Sequence, residues 1–135
     1  MNYAKWEDEY NTGDSKIDEQ HQRVFIFINK LNLALRTAKD KEEIIDILKG
    51  LKDYSIHHFK LEEDQMIAAQ YPKYSAHKAE HQIFIDRLNK LTADMENKNT
   101  SINLRLLKFL KVWFSGHILN TDKKFVAFLS GEIAE

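Results

Sequence analysis

His58 and Glu62 lie four residues apart in the sequence, and so do His77 and His81. On an α-helix that spacing is one turn along the same face, about 6 Å of rise, so each pair can reach a common centre from one helix. His21 and His117 stand alone, yet both fall in line with apolar residues that recur every three or four positions. Leucine, isoleucine or phenylalanine would be expected there. An unsatisfied polar group on such a stripe costs a few kcal/mol and a lone carboxylate far more, so several together need mutual satisfaction or a cation. The chain has no cysteine, which removes disulfides, thiolate catalysis, iron–sulfur clusters and thiolate-bound zinc. Any metal must therefore sit on nitrogen and oxygen, and the chemistry these residues permit is cation binding by imidazole and carboxylate.

Taken singly, each histidine reads as a hydrogen-bonded core imidazole, and either four-residue pair is a weak motif. Single side chains do not explain why all of them occupy stripes that would converge in a bundle, where inward side chains of facing helices build metal sites. His57 serves as a control: it points about 100° away from His58 on an ideal helix and should lie at the surface or boundary. Asp122 follows His117 by five residues, which ideal α-helical geometry does not place on one face. Either the helix ends, tightens or bulges between Gly116 and Asp122 and turns the carboxylate inward, or Asp122 is a solvated residue capping a short C-terminal helix.

The elements that must position these residues are long helices, because one proline and four glycines in 135 residues leave little turn punctuation for a sheet. Ile17, His21, Val24/Phe25, Ile28, Leu31 and Leu35 mark a first helix over roughly 17–37, with Ser15 and Asp18 as its capping pair. Ile44, Leu48, Leu51, Ser55, His58, Glu62 and Met66 mark a second over 41–68, which the turn near Tyr71 and Pro72 ends. Ser75 precedes a third over 75–97, with His77, His81, Phe84, Leu88, Leu91 and Met95 in line. The polar stretch 97–101 breaks the pattern, and Thr100 or Ser101 can cap a fourth helix over 102–120 that carries Leu107, Leu110, Phe114 and His117. Short connections predict an all-α, up-down-up-down antiparallel four-helix bundle, with residues 1–14 as an ordered arm and a short helical piece from Asp122 to Leu129.

Composition narrows the function classes. A length of 135 residues suits a single domain spanning 1–135. Lysine and arginine total 20 against 21 acids, with the signs interspersed, so no nucleic-acid partner is expected. The longest apolar run, Val24 to Ile28, is far too short to span a bilayer, and Met1 to Tyr10 carries acids and Trp6 where a secretory signal needs a basic start and an apolar run. A cytoplasmic protein without a membrane partner is the expectation.

Set beside known families, the chain resembles the hemerythrins, in particular the single-domain bacterial ones. The likeness covers nearly the whole chain: Trp6, Ile17-Asp18-Glu19-Gln20-His21, His58-Phe59-Lys60-Leu61-Glu62-Glu63 with Met66, His77-Lys78-Ala79-Glu80-His81, and Trp113, His117, Ile118 and Asp122. It implies two iron ions with an oxo or hydroxo bridge, one held by His77, His81 and His117 and the other by His21 and His58, with Glu62 and Asp122 spanning both. On that assignment the first iron has six ligands and the second five, leaving one open position of the kind that suits a small ligand. Reversible dioxygen binding for storage, delivery or transport is the implied function, and enzymatic turnover is not. An oxygen sensor or iron reservoir acting through a partner, and a di-iron oxidoreductase, stay as alternatives. Imidazole and carboxylate also accept manganese, zinc and nickel, so iron itself rests on the resemblance. Phe25, Phe59, Trp113, Phe114 and Ile118 would both pack the core and shield the site from water. Phe114 stands where related proteins often carry leucine.

Overall fold

The structure, a computed structural model, describes residues 3–98 and 104–131. Its body is α1 (Ser15–Arg36), α2 (Lys41–Ala68), α3 (Tyr74–Lys98) and α4 (Leu104–Gly116). From α4 the chain stays helical through a π-helical turn, His117–Asp122, into α5, Lys123–Leu129. A single 3₁₀ turn, Asp8–Tyr10, lies in the N-terminal arm. α1 packs on α2 and on α4, and α2 packs on α3. The connections 37–40 and 69–73 are so short that successive helices run antiparallel, giving the up-down-up-down bundle the sequence predicts.

The apolar stripes become the core. Val24, Ile28, Leu31, Leu48, Leu51, Phe84, Leu88, Leu107, Leu110 and Phe114 are all fully enclosed. This packing fills one half of the bundle, and a smaller cluster of Met66, Tyr71 and Phe125 closes the other end. Between the two lies the polar layer.

The helix ends show why the sequence breaks where it does. α1 is capped by Asp14, whose carboxylate accepts from the Lys16 and Ile17 amides at 3.0 Å, and not by the expected Ser15–Asp18 pair. Asp18 is instead buried and accepts from the amide and hydroxyl of Thr12 at 2.9 and 2.7 Å, tying the arm to α1. The arm is held a second time where Ala4 and Asn29 exchange hydrogen bonds of 2.6 and 2.9 Å. Asp40 caps α2 through the Glu43 amide. The proposed Thr100 or Ser101 cap lies outside the described residues.

α1 and α2 end the same way. Ala38 and Gln70 both adopt a left-handed φ of 54°. In each case the next amide reaches back across the last turn, Lys39 to Ala34 and Tyr71 to Met66, both at 2.9 Å. This is the Schellman arrangement, built here without the glycine that normally marks it.

Candidate metal centre

Each helix brings its part of the polar layer to the axis for a local reason. His21 takes its place in the α1 stripe between Ile17 and Val24. His58 and Glu62 share a face of α2, as His77 and His81 do on α3, through simple four-residue periodicity. For His117 and Asp122 the backbone widens: the π-helical turn makes residues five apart neighbours on one face, which resolves the question left by their spacing. The backbone neither ends nor tightens there. Asp122 keeps helical dihedrals and makes no capping bond, so the alternative role as a cap of α5 is excluded. A widened turn displaces backbone carbonyls from their usual donors, and the Asn120 side-chain amide donates to the Gly116 carbonyl at 3.0 Å.

All seven predicted residues meet, and all are buried to within 3% exposure or less. Their ligand atoms form two groups, each with its members within 4.8 Å of one another: one from His77, His81, His117, Glu62 and Asp122, the other from His21, His58, Glu62 and Asp122. The two carboxylates belong to both. Glu62 turns Oε1 toward His81 Nε2 at 3.2 Å and His77 Nε2 at 3.6 Å, and Oε2 toward His58 Nε2 at 3.2 Å and His21 Nε2 at 3.5 Å. Asp122 does the same from the opposite element, with Oδ1 facing His77 at 2.9 Å and His117 at 3.1 Å, and Oδ2 facing His21 at 3.0 Å. His57, the control, is exposed.

The outer nitrogens explain which way the rings face. His58 Nδ1 donates to Gln20 at 2.6 Å, His81 Nδ1 to Glu63 at 2.9 Å, and His117 Nδ1 to Glu80 at 2.8 Å. A carboxylate or amide oxygen accepting at Nδ1 fixes the proton there and leaves the Nε2 lone pair directed inward. These acceptors follow a register around the bundle: Gln20 beside His21 serves α2, Glu63 beside Glu62 serves α3, and Glu80 beside His81 serves the π-helical turn. Thr121 adds a hydrogen bond to Glu80 at 2.8 Å. Sequence reasoning missed these acceptors; the available signal was a polar residue next to a ligand on each of three helices.

Aromatic rings hold the imidazoles from the sides. Phe59 stacks on His81 at 3.9 Å and 6°, Trp113 stacks on His117 at 4.8 Å and 9°, and Phe114 meets His21 edge-on at 5.5 Å. Phe125 meets His77 edge-on at 6.0 Å, a contact the sequence does not announce because it depends on how α5 follows the π-helical turn.

The electrostatics show what such a layer does when left to protons. Burial would lower the His21 pKa, but contact with Asp122 and Glu62 and their charge outweigh it and raise the value from 6.5 to about 9. His117 is raised against the same desolvation to about 10 by the charge and hydrogen bond of Asp122 and the bond to Glu80. Burial likewise pushes Glu62 and Asp122 up, yet the surrounding imidazoles hold both well below the usual carboxylate range. The Glu80 carboxyl is lowered, mainly by its hydrogen bond from His117.

Protons alone satisfy this arrangement poorly. His21 Nε2, His58 Nε2, both Glu62 oxygens and Asp122 Oδ2 are buried, directed into the layer and without a hydrogen-bond partner. His21 Nε2 lies 3.0 Å from Asp122 Oδ2, close enough for charge attraction but off the line of a hydrogen bond. His81 Nε2 and His117 Nε2 face each other at 3.1 Å, so at most one proton can lie between the two nitrogens. Converging imidazole nitrogens and carboxylate oxygens, more numerous than the protons they can share, are a donor set for cations, and the residues present fit two of them.

Fold and site together define a helical bundle with a buried histidine–carboxylate layer able to hold metal. The family model described as the hemerythrin HHE cation binding domain matches residues 12–129, and the chain belongs to that family. It is 32% identical over 125 residues to the bacteriohemerythrin of Clostridium acetobutylicum, covering 90% of this chain and 97% of that one. To the bacteriohemerythrin of Methylococcus capsulatus it is 34% identical over 126 residues, covering 90% and 92%. Among solved structures it is similar to wild-type hemerythrin, with a TM-score of 0.87 at 31% identity over 95% of this chain and 98% of the other. A leucine-to-tyrosine variant of hemerythrin gives a TM-score of 0.90 at 31% identity, covering 96% and 99%.

Proposed function

We propose that His77, His81 and His117 hold one iron, that His21 and His58 hold a second, that Glu62 and Asp122 span the pair, and that the protein binds dioxygen reversibly there. The observation that carries this is the division of each carboxylate, one oxygen facing imidazoles of the three-histidine group and the other facing the two-histidine group. When bound, the iron pair supplies the electrons with which dioxygen is held and then returned. The chain supplies three imidazoles on one side and two on the other, so its side chains leave one side a donor short. That is where a small ligand fits.

Carriage is favoured over turnover by the donor set. Five neutral imidazoles against two carboxylates offset little of the cations' charge, which suits easily reversed oxidation more than the high oxidation states that oxygen activation requires. Phe59, Trp113, Phe114 and Phe125 line the layer and exclude water and anions that would make oxidation irreversible. Among the described residues no helix is long and apolar enough to cross a membrane.

The test is optical. Metal-free protein is loaded anaerobically with ferrous iron, air is admitted, and the visible spectrum is followed before and after purging with argon. A charge-transfer band that appears in air and vanishes on purging supports carriage; immediate and permanent oxidation overturns it.

A further inference from the structure

Gln20, Glu63 and Glu80 differ in one respect that the geometry makes consequential. All three accept a hydrogen bond from the outer nitrogen of an inward-facing imidazole, but Gln20 is neutral and the other two are carboxylates. A carboxylate in that place draws the Nδ1 proton toward itself and makes Nε2 a stronger donor, and such charge-assisted bonds are roughly twice as strong as neutral ones. Both carboxylates act on the three-histidine side. The same two rings are the ones stacked face to face, His81 under Phe59 and His117 against Trp113, so their planes are fixed as well as their protons. On the two-histidine side, His58 meets Phe59 only at a tilt of 52° and has the neutral Gln20 amide; one ring on each side, His21 and His77, leaves its Nδ1 without a partner, so the difference rests on the rings of His58, His81 and His117.

Resting on the reading of the layer as a metal pair, we infer that the two cation positions are unequal and fill in order, the three-histidine position first, with Glu63 and Glu80 as the positioning residues that set the difference. Donor count acts in the same direction, five residues against four. Neither Glu63 nor Glu80 faces a cation directly; each acts through the imidazole it holds.

Cobalt(II) titration of the metal-stripped protein, followed by visible d–d absorption and by competition with a chelator, tests this. Wild type should take up two equivalents in two phases. Glu63→Gln and Glu80→Gln keep an acceptor of the same shape and remove only charge, and each should weaken the first phase by about ten-fold or more while leaving the second in place. Gln20→Glu should strengthen the second phase by a similar factor. The exchangeable, paramagnetically shifted imidazole Nδ1–H resonances of the cobalt protein should move in each variant, which a merely structural role would not cause. Two equivalents taken up in one phase, or variants that change both phases alike or neither, would overturn the ordering while leaving the metal pair intact. Failure of wild type to bind cobalt at all overturns both readings.

Discussion

Glu62 and Asp122 differ from the histidines in what their loss should do. Each carboxylate faces both groups of ligand atoms, whereas each imidazole belongs to one. Glu62→Ala should therefore abolish tight uptake of both cations, and His58→Ala should remove one and spare the other. Metal content per chain by elemental analysis after loading and desalting separates the cases; equal losses in the two variants would contradict the spanning role. Protonation gives a second prediction. In the metal-free chain His21 and His117 are raised from 6.5 to about 9 and about 10, so protons held there favour the folded state. That contribution is complete below about pH 6.5 and is lost as pH climbs through 9 to 10. Glu62 and Asp122, lowered from 4.5 and 3.8, contribute above those values and lose their contribution in acid. Urea midpoints of the metal-free protein should peak between roughly pH 5 and 6.5 and fall toward pH 10, and bound metal should remove the alkaline decline by replacing the protons. A midpoint that rises from pH 7 to 10 without metal would refute this.

At the scale of elements, the two left-handed helix ends are the places where sequence and backbone disagree. Ala38 and Gln70 occupy a region that costs a residue with a side chain about 1–2 kcal/mol. Glycine relieves that cost but adds about 0.4–1 kcal/mol of unfolded-state entropy, so Gln70→Gly should stabilise by about 0.5–1 kcal/mol. A thermal midpoint raised by a few degrees, with metal content unchanged, is the expected result; a lowered midpoint would mean that the Gln70 side chain supports the turn. The π-helical turn is the other element with a function of its own. It brings a carboxylate five residues along the chain onto the face of His117, and the Asn120 side chain donates to the Gly116 carbonyl at its start.

For the whole molecule the polar layer is a joint between helices. It takes side chains from α1, α2, α3 and the continuation of α4, so a cation bound there ties every helix of the bundle to the others. Free metal at about a hundred times its dissociation constant adds about 2.7 kcal/mol for one site, which for a chain of this size raises the thermal midpoint by roughly 5–10 °C. Calorimetry with and without chelator should show at least that difference in wild type and none in Glu62→Ala. If the two wild-type curves superimpose, the layer does not link metal to folding.

The sequence by itself determined the four helices, their stripes and most of the layer. Four-residue spacings such as His58 to Glu62 and His77 to His81 are a property of the α-helix, and so can be read before any partner is known. The cap of α1 was misplaced by one residue because Asp14, Ser15 and Asp18 are all competent acceptors, and only the docking of Thr12 assigns Asp18 elsewhere. Asp122 could be suspected but not placed, since widening a helix by one residue is decided by what the widened turn must face. The outer partners Gln20, Glu63 and Glu80, and the contact of Phe125 with His77, belong to tertiary structure alone. Periodicity fixes which face of a helix turns inward, but the rotation and height at which a neighbouring helix meets that face depend on how all the side chains pack together.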